Sequence, residues 1–135
     1  MTLDELKLEF EKDMPIVLTQ LQSEAANTPV LYGKYCRYVS DFNRELTQRK
    51  NHQKTVLRDR LNYYLGRGDD VCLDVYSSTE LRTVLPGDEE VIKANTAVEI
   101  VENKIELCRS AMEAIRQRGF SISNVVNLRK LEAGE

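Results

Sequence analysis

The chain has 135 residues, a formal net charge of −3 and 41% hydrophobic side chains. That length fits one domain with a modest core, and three Pro and six Gly are too few for a Pro/Gly-rich disordered chain. The three cysteines form no CxxC pair, no apolar run is long enough to span a membrane and no signal peptide is recognisable, so we expect an intracellular protein without a membrane segment. Because the only histidine is His52, we expect no metal site.

The first residues predict a short helix. Thr2 and Glu5 have the spacing of a capping box, and apolar residues follow on one side of the helix. The segment Asp13-Met14-Pro15 is expected to end it, because the residue before a proline disfavours helical geometry. Residues 16–26 are interpreted as a second helical piece.

A long helix is predicted to come next. Thr28-Pro29 is typical of a helix start, because threonine is a good cap and proline is tolerated at the first helical position. Gly66 is the expected stop, so the helix would run to Leu65. Its first half has an apolar seam formed by Tyr35, Val39, Phe42 and Leu46.

Residues 44–68 form a basic stretch within an acidic chain. Seven Lys and Arg residues stand against two acids there, a local net charge of +5. A local positive zone followed by aromatic residues, here Tyr63 and Tyr64, is typical of sites that grip unpaired nucleic acid. The alternative is a solvated helix face, because charged stretches of this length are common on helical surfaces. Tyr64 is expected to pack inside the fold, which leaves Tyr63 as the better candidate for base stacking.

The segment between the basic stretch and the next helix is irregular. Residues 71–76 (VCLDVY) alternate as a short strand would, although no partner strand is evident. Residues 79–85 are equally compatible with irregular chain and with one or two helical turns capped by Ser77 or Ser78. Pro86-Gly87 predicts a turn.

A second long helix is predicted from a heptad pattern. Apolar residues recur every seven positions in two series, which are Val91, Val98, Ile105 and Met112, and Ala94, Val101, Cys108 and Ile115. A break is conceivable near Asn95-Thr96, where Thr96 and Glu99 would cap a fresh start. Arg116 and Arg118 suit the negative end of a helix, and Gly119 is the expected stop.

The last element is predicted to be a short helix after the Gly119 stop. Its apolar residues are Ile122, Val125, Val126, Leu128 and Leu131. A helix this short is marginal alone, so it must pack on a larger body. Packing on its own chain and packing on another subunit are both compatible with the pattern.

The predicted fold class is mostly α: a helical hairpin or small bundle with two long helices and a short C-terminal helix that mediates homo-oligomerisation. Residues 1–118 would form the helical domain and residues 119–135 the oligomerisation helix. The chain has no nucleotide-binding glycine motif and no nucleophile–base pair, so we expect no catalytic residues, no cofactor and no enzyme activity.

Three blocks of sequence resemble the UvsY family of recombination mediators of T-even-type phages. They are EAANTPVLYGKY from Glu24, VLRDRLNYYLGRGD from Val56 and AIRQRGFSISNVVNLRKLEAGE from Ala114. The resemblance implies a ring-like or open-barrel homo-oligomer, with a heptamer as the expected size, in the cytoplasm of the infected bacterial host. It implies single-stranded DNA as ligand, and a UvsX-like recombinase and the phage single-strand-binding protein as partners. The implied task is to load the recombinase onto DNA coated by that binding protein.

The family also carries a Lys-Ala-Arg-Leu motif tied to single-strand binding, which falls here at Arg58-Asp59-Arg60-Leu61. Asp59 departs from the family's small neutral residue. The predicted DNA-binding residues are Arg49, Lys50, Lys54, Arg58, Arg60, Tyr63 and Arg67. The alternative function is a non-enzymatic helical adaptor that uses the basic stretch to bind an acidic protein partner.

Overall fold

The computed structural model describes residues 1–134 and is helical. Its elements are α1 (Leu3–Asp13), α2 (Leu21–Tyr64), α3 (Ser78–Val84), a 3₁₀ turn (Leu85–Gly87) and α4 (Glu89–Glu132). These residues contain no β-strand, so the predicted α class is confirmed and the strand alternative for residues 71–76 is wrong. Within the same range, every helix is either too short or too polar to serve as a membrane span.

The predicted start of α1 is confirmed in atomic detail. The Thr2 hydroxyl accepts from the backbone N–H of Glu5 at 3.1 Å, and the Glu5 carboxylate accepts from the backbone N–H of Thr2 at 2.9 Å. Two of the unpaired donors at the helix start are thereby satisfied. Helix α1 ends at Asp13 and α2 starts at Leu21, so the expected helical piece over residues 16–26 is helical only in its second half.

Helix α2 does not start at Thr28-Pro29, as predicted, but passes through Pro29. The turn before the proline is held from two sides, because the Thr28 hydroxyl and the Arg118 guanidinium both donate to the Glu24 carbonyl, at 2.9 and 3.2 Å. A proline inside a helix removes one backbone donor and strains the preceding turn. Tertiary contacts at Glu24 and Thr28 offset that cost.

The predicted end of α2 at Gly66 is confirmed. Gly66 has a φ of 76°, the left-handed geometry that glycine adopts without strain. Its N–H donates to the Tyr63 carbonyl at 3.1 Å, and the N–H of Arg67 donates to the Asn62 carbonyl at 2.8 Å. These two bonds form a Schellman motif, which satisfies carbonyls that the helix end leaves free.

The described chain divides into two compact units. Unit 1 comprises Met1–Phe42 and the chain from Asn103 onward, and unit 2 comprises Asn43–Glu102. In unit 1, α2 and α4 run antiparallel, since Thr28 contacts Arg118 while Phe42 lies beside Lys104. The predicted pairing of two long helices as in a hairpin is therefore present in this unit.

Helix α1 is fastened to α2 within unit 1 by a cluster of charges and phenols. Lys34 lies 2.7 Å from a Glu9 oxygen and 2.5 Å from an Asp13 oxygen. The Tyr35 hydroxyl donates to Asp13 at 3.0 Å and the Tyr38 hydroxyl donates to Glu9 at 2.9 Å. Burial and the bond to Asp13 raise the pKa of Tyr35, so it stays a neutral donor.

The apolar core of unit 1 lies beneath that cluster. Its most deeply buried side chains are Leu6, Tyr35, Cys108, Ala111 and Ile115. Burial raises the pKa of the Cys108 thiol to about 11, so this cysteine behaves as a small apolar side chain.

Unit 2 repeats the antiparallel pairing with the other halves of the two long helices. The Gln53 amide donates to the Asn95 side-chain oxygen at 2.6 Å, and Arg60 donates to Asp88 at 2.9 Å. Asn95 thus has a polar partner. Helix α4 continues through Asn95 and Thr96, so the break considered there is absent. Ser77 caps α3 by accepting from the N–H of Glu80 at 3.2 Å, one of the two predicted caps.

The heptad face of α4 is confirmed as its packing face. Seven of the eight predicted positions are buried, and only Met112 is half-buried, because the neighbouring Ala111 takes the inward position. The predicted stop at Gly119 is wrong, since α4 runs unbroken to Glu132. A Cβ at Gly119 would lie 3.6 Å from the Thr28 methyl group, an ordinary van der Waals distance, so α4 packs against α2 at this position. The C-terminal residues are the end of α4, not a separate helix.

Candidate nucleic-acid interface

The basic stretch forms the part of α2 that belongs to unit 2, and its cations lie on two different faces. Lys50, Lys54 and Arg58 are spaced by four residues and are all exposed, so they form one line along the helix, called here the basic ridge. Within residues 1–134, Lys50 and Lys54 have no carboxylate within 4 Å, and Arg58 contacts only its neighbour Asp59, at 3.1 Å. The basic ridge therefore presents positive charge to solvent.

The opposite face of the same segment is engaged with the start of α4. The Arg60 guanidinium donates to the Asp88 carboxylate at 2.9 Å, and the Tyr64 hydroxyl donates to the same oxygen at 2.6 Å. The other Asp88 oxygen accepts from the backbone N–H groups of Glu90 and Val91, at 2.9 and 3.2 Å. Asp88 is thus the N-cap of α4 and the anchor of α2 at once.

The electrostatics of this cluster follow from its hydrogen bonds. Burial disfavours the Asp88 carboxylate, but donation from Tyr64 and Arg60 outweighs burial and holds the pKa of Asp88 below its ordinary value. The bond to Asp88, together with burial, raises the pKa of Tyr64. Because Asp88 is ionised at neutral pH, the positive charge of Arg60 is largely neutralised inside the fold.

Tyr63 lies against the free side of Arg60. The guanidinium carbon is 4.4 Å from the centre of the Tyr63 ring, which is a cation–π contact. A cleft of about 420 Å³ opens beside the ring. Its charged lining mixes Arg60 and Arg67 with Asp59, Asp69 and Asp70. Three carboxylates make this cleft less suitable for a phosphate than for the neutral face of a base.

The remaining predicted cations occupy the margins of the segment. Arg49 is half-exposed and lies 4.0 Å from Glu45 one turn earlier, a weak surface pair. Arg67 follows the Schellman motif and is exposed. The next residue, Gly68, turns back so closely that a Cβ would lie 3.3 Å from the Tyr63 Cα. The Gly66–Gly68 segment is therefore held against the end of α2.

Tyr64 packs within the fold, as expected, but against partners that sequence reasoning did not identify. The Tyr64 hydroxyl donates to Asp88 at 2.6 Å, and the Tyr64 ring makes an edge-on contact with the Tyr76 ring at 5.6 Å. Asp88 itself was missed. An aspartate directly before the helix-starting Glu89-Glu90 is an N-cap signal, so the cap was detectable, but nothing local indicated its pairing with Arg60.

The predicted oligomerisation residues differ in how much surface they offer. Ile122 is 4% exposed and packs inside unit 1, so it is not available to another subunit in this structure. Val125 and Val126 are half-buried, whereas Leu128 and Leu131 are exposed. Residues 1–134 include no cluster of three or more His, Cys, Asp or Glu side chains arranged to hold a metal ion.

Comparison with known proteins identifies the family. The chain matches the family model "Recombination, repair and ssDNA binding protein UvsY" over residues 9–135. It is 37% identical over 137 aligned positions to the recombination protein uvsY of Enterobacteria phage T4, with all of both chains covered. It also matches crystal structures of the bacteriophage T4 recombination mediator protein UvsY. The lattice type II form has a TM-score of 0.92 at 36% identity, covering 98% of each chain. The lattice type III form has a TM-score of 0.80 at 32% identity, covering 98% of this chain and 99% of the other.

A helical, full-length match at this identity defines the class as a phage recombination and repair protein. The chain belongs to the UvsY family.

Proposed function

We propose that this protein is a non-enzymatic recombination mediator that binds single-stranded DNA and helps a UvsX-like recombinase load onto DNA coated by the phage single-strand-binding protein. Family membership supports the role. The observation that carries the DNA-binding part is the basic ridge, three exposed cations in one line on α2. The protein would act in the cytoplasm of the infected bacterial cell.

In the proposed interface, two faces of the basic stretch on α2 have different roles. Lys50, Lys54 and Arg58 recur at intervals of about 6 Å along the helix and contact phosphates. Arg49 and Arg67 add charge at the margins. Arg60, neutralised by Asp88, contributes mainly by supporting the Tyr63 ring, on which a base stacks.

The mediator role also requires several copies of the chain. A few cations per subunit bind DNA weakly, but an assembly presents them repeatedly and gains by effective concentration. We propose a ring-like homo-oligomer, with a heptamer as the expected size. The end of α4 contributes to its interface through Leu128 and Leu131, with Val125 and Val126 beside them.

A salt titration of single-strand binding tests the ridge. Each phosphate neutralised on a single strand contributes about −0.7 to the slope of log affinity against log salt. The triple variant Lys50→Ala/Lys54→Ala/Arg58→Ala should bind weakly and flatten the slope by about 2 per subunit engaged. Circular dichroism should show unchanged helicity, because all three side chains are exposed.

The matched control removes the same charge elsewhere. Lys7, Lys12 and Arg109 are exposed cations of unit 1, and Lys7→Ala/Lys12→Ala/Arg109→Ala should leave the slope unchanged. Equal losses in both triple variants would contradict a localised interface. Absence of salt-dependent binding in the unmodified protein would favour the adaptor function instead.

A further inference from the structure

The segment after α2 in unit 2 displays aliphatic side chains to solvent. Val71, Leu73 and Val75 are 79%, 92% and 96% exposed, whereas Cys72 and Tyr76 in the same stretch are partly buried. The Cys72 thiol donates a hydrogen bond to the Asp74 carbonyl at 3.4 Å, and the Tyr76 ring contacts the Tyr64 ring edge-on. Three nearly fully exposed aliphatic side chains in one extended stretch are unfavourable in water.

Residues 69–75, called here the acidic–apolar segment, are fixed at both ends. Before them, the Schellman motif at Gly66 and the close approach of Gly68 to Tyr63 set the exit from α2. After them, Tyr76 rests on Tyr64 and Ser77 caps α3. The aliphatic side chains therefore point outward from an anchored stretch of chain.

Unit 2 also has an open apolar groove between the end of α2 and α3. The leucine groove is formed by Leu61, Leu65, Leu81 and Leu85 and has a volume of about 340 Å³. Arg82 lies on its rim, is exposed, and has no carboxylate within 4 Å among residues 1–134. The groove thus combines an apolar floor with an unpaired cation at its edge.

We propose that the acidic–apolar segment of one copy docks into the leucine groove of a second copy. The two surfaces are complementary, because Leu73 and Val75 need an apolar cover and the segment carries Asp69, Asp70 and Asp74. These carboxylates match the free Arg82. The groove's own chain does not supply the cover, since its Leu73 and Val75 remain exposed.

The proposed contact joins two different surfaces and is therefore heterologous. Each copy offers one segment and one groove, so the same contact can repeat from copy to copy until a ring closes. The inference rests on the proposed homo-oligomer and adds a second interface to the one at the end of α4.

The first test replaces Leu73 with a charge. Leu73→Asp should leave helicity unchanged, because the side chain is 92% exposed, and should lower the mass of the assembly in light scattering. The control Leu8→Asp places the same change at an exposed leucine of α1 and should keep the full mass. A Leu73→Asp protein with the mass of the unmodified assembly would overturn this inference alone. A monomeric unmodified protein would overturn the proposed oligomer, and this inference with it.

The second test uses the fact that the proposed contact joins two different surfaces, the segment of one copy and the groove of the other. A groove variant, Leu65→Asp/Arg82→Glu, keeps an intact segment, whereas Leu73→Asp keeps an intact groove. Mixing the two defective proteins should restore one contact and give a heavier species than either alone. Masses that do not change on mixing would rule out the heterologous pairing.

Discussion

Arg118 in unit 1 and Arg60 in unit 2 both contact a carboxylate from a distant part of the chain, but they differ in what else they do. The Arg118 side chain is 2% exposed and the Arg60 side chain is 29% exposed. Both are arginines on long helices with good local propensity. Their different roles follow from how many acceptors the fold brings to each guanidinium.

The acceptors around Arg118 engage all of its guanidinium N–H groups. It donates to the carbonyls of Met14 and Pro15, which follow α1, at 3.2 and 3.3 Å. It also donates to the Glu24 carbonyl at 3.2 Å, the Thr28 hydroxyl at 2.7 Å and the Glu24 carboxylate. Arg118 thus joins the end of α1, the start of α2 and α4, and no donor remains for a ligand.

Among residues 1–134, Arg60 pairs with the carboxylate of Asp88 and lies 4.4 Å from the centre of the Tyr63 ring and 5.5 Å from that of Tyr64, yet 29% of its side chain stays exposed. In the part of the chain that the structure describes, the one carboxylate within 4 Å of the basic ridge is that of Asp59, beside Arg58. Unit 1 thus buries one cation to hold its helices together, whereas unit 2 sets three exposed cations in one line on α2. That difference, more than net charge, is the reason for assigning the proposed polyanion contact to unit 2.

The largest effect is expected from Arg118→Met. The change leaves the Glu24 carboxylate and two carbonyls without a donor, and breaking a buried ion pair by removing one partner costs about 3–5 kcal/mol. Urea unfolding followed by circular dichroism should show this loss. Arg116→Met, on the exposed side of the same turn, is the control and should change the free energy of unfolding by less than about 0.5 kcal/mol. Equal effects would show that the network around Arg118 contributes little.

The Arg118 network also explains where prediction from sequence failed. The heptad face of α4 was predicted correctly, because periodicity is local and burial follows it. The false helix start at Thr28-Pro29 and the false stop at Gly119 occur at one place, where Thr28 meets Arg118 and Gly119. At Thr28-Pro29 and at Gly119, local sequence rules favour a helix end, but tertiary contacts override that preference. No local pattern shows that these positions, about 90 residues apart, are in contact.

The candidate site was predictable in part. A count of charges located the basic stretch, and helix geometry places Lys54 and Arg58 on one flank. Their alignment with an exposed Lys50 was recognised only in the structure. Helix geometry at 100° per residue already separates Arg60 from Lys54 and Arg58. The pairing of Arg60 with Asp88 was not predictable, because Asp88 is 28 residues further along the chain. The segment Arg58-Asp59-Arg60-Leu61, which matches the family motif, contains both arginines, yet the fold gives them different surroundings.

The next largest effect is expected from Asp88→Asn, which removes the charge opposite Arg60 in unit 2. Asparagine is also a good N-cap, so the start of α4 should survive. Hydrogen bonds to a charged group contribute about 1.5–3 kcal/mol, and a loss within that range is expected at pH 7. Chemical unfolding measures it. A loss as large as that of Arg118→Met would contradict the contrast between the two units.

The same variant has a defined pH dependence. The pKa of Asp88 is lowered from an ordinary value of 3.8, so its ionised form stabilises the folded chain above that pH. The stabilisation is lost as pH falls from 3.8 through the lower native pKa. The difference between unmodified protein and Asp88→Asn should therefore shrink on acidification. A constant difference from neutral pH to pH 2, the low end of an ordinary titration, would show that the carboxylate charge is not the cause.

A smaller effect, on binding alone, is expected at Tyr63. Stacking on a base is worth about 1–3 kcal/mol, and the partial contact of Tyr63 with Arg60 suggests the low end of that range. Tyr63→Ala should weaken single-strand binding by this amount, whereas Tyr63→Phe keeps the ring and should bind normally. A lower melting temperature with unchanged affinity in Tyr63→Ala would make the residue structural, like Tyr64.

The smallest effect on stability is expected at Arg58, the opposite extreme from Arg118. Within residues 1–134, the only ion pair of Arg58 is with the adjacent, exposed Asp59, and exposed pairs of this kind contribute about 0–1 kcal/mol. Arg58→Ala should therefore leave the urea midpoint nearly unchanged but reduce the magnitude of the salt slope for single strands by about 0.7 for each phosphate lost. Asp59→Ala is the informative partner, because removing the competing carboxylate should strengthen binding while leaving stability alone. If Arg58→Ala lowers stability as Arg118→Met does, or Asp59→Ala weakens binding, the cations of unit 2 are structural and the proposed interface lies elsewhere.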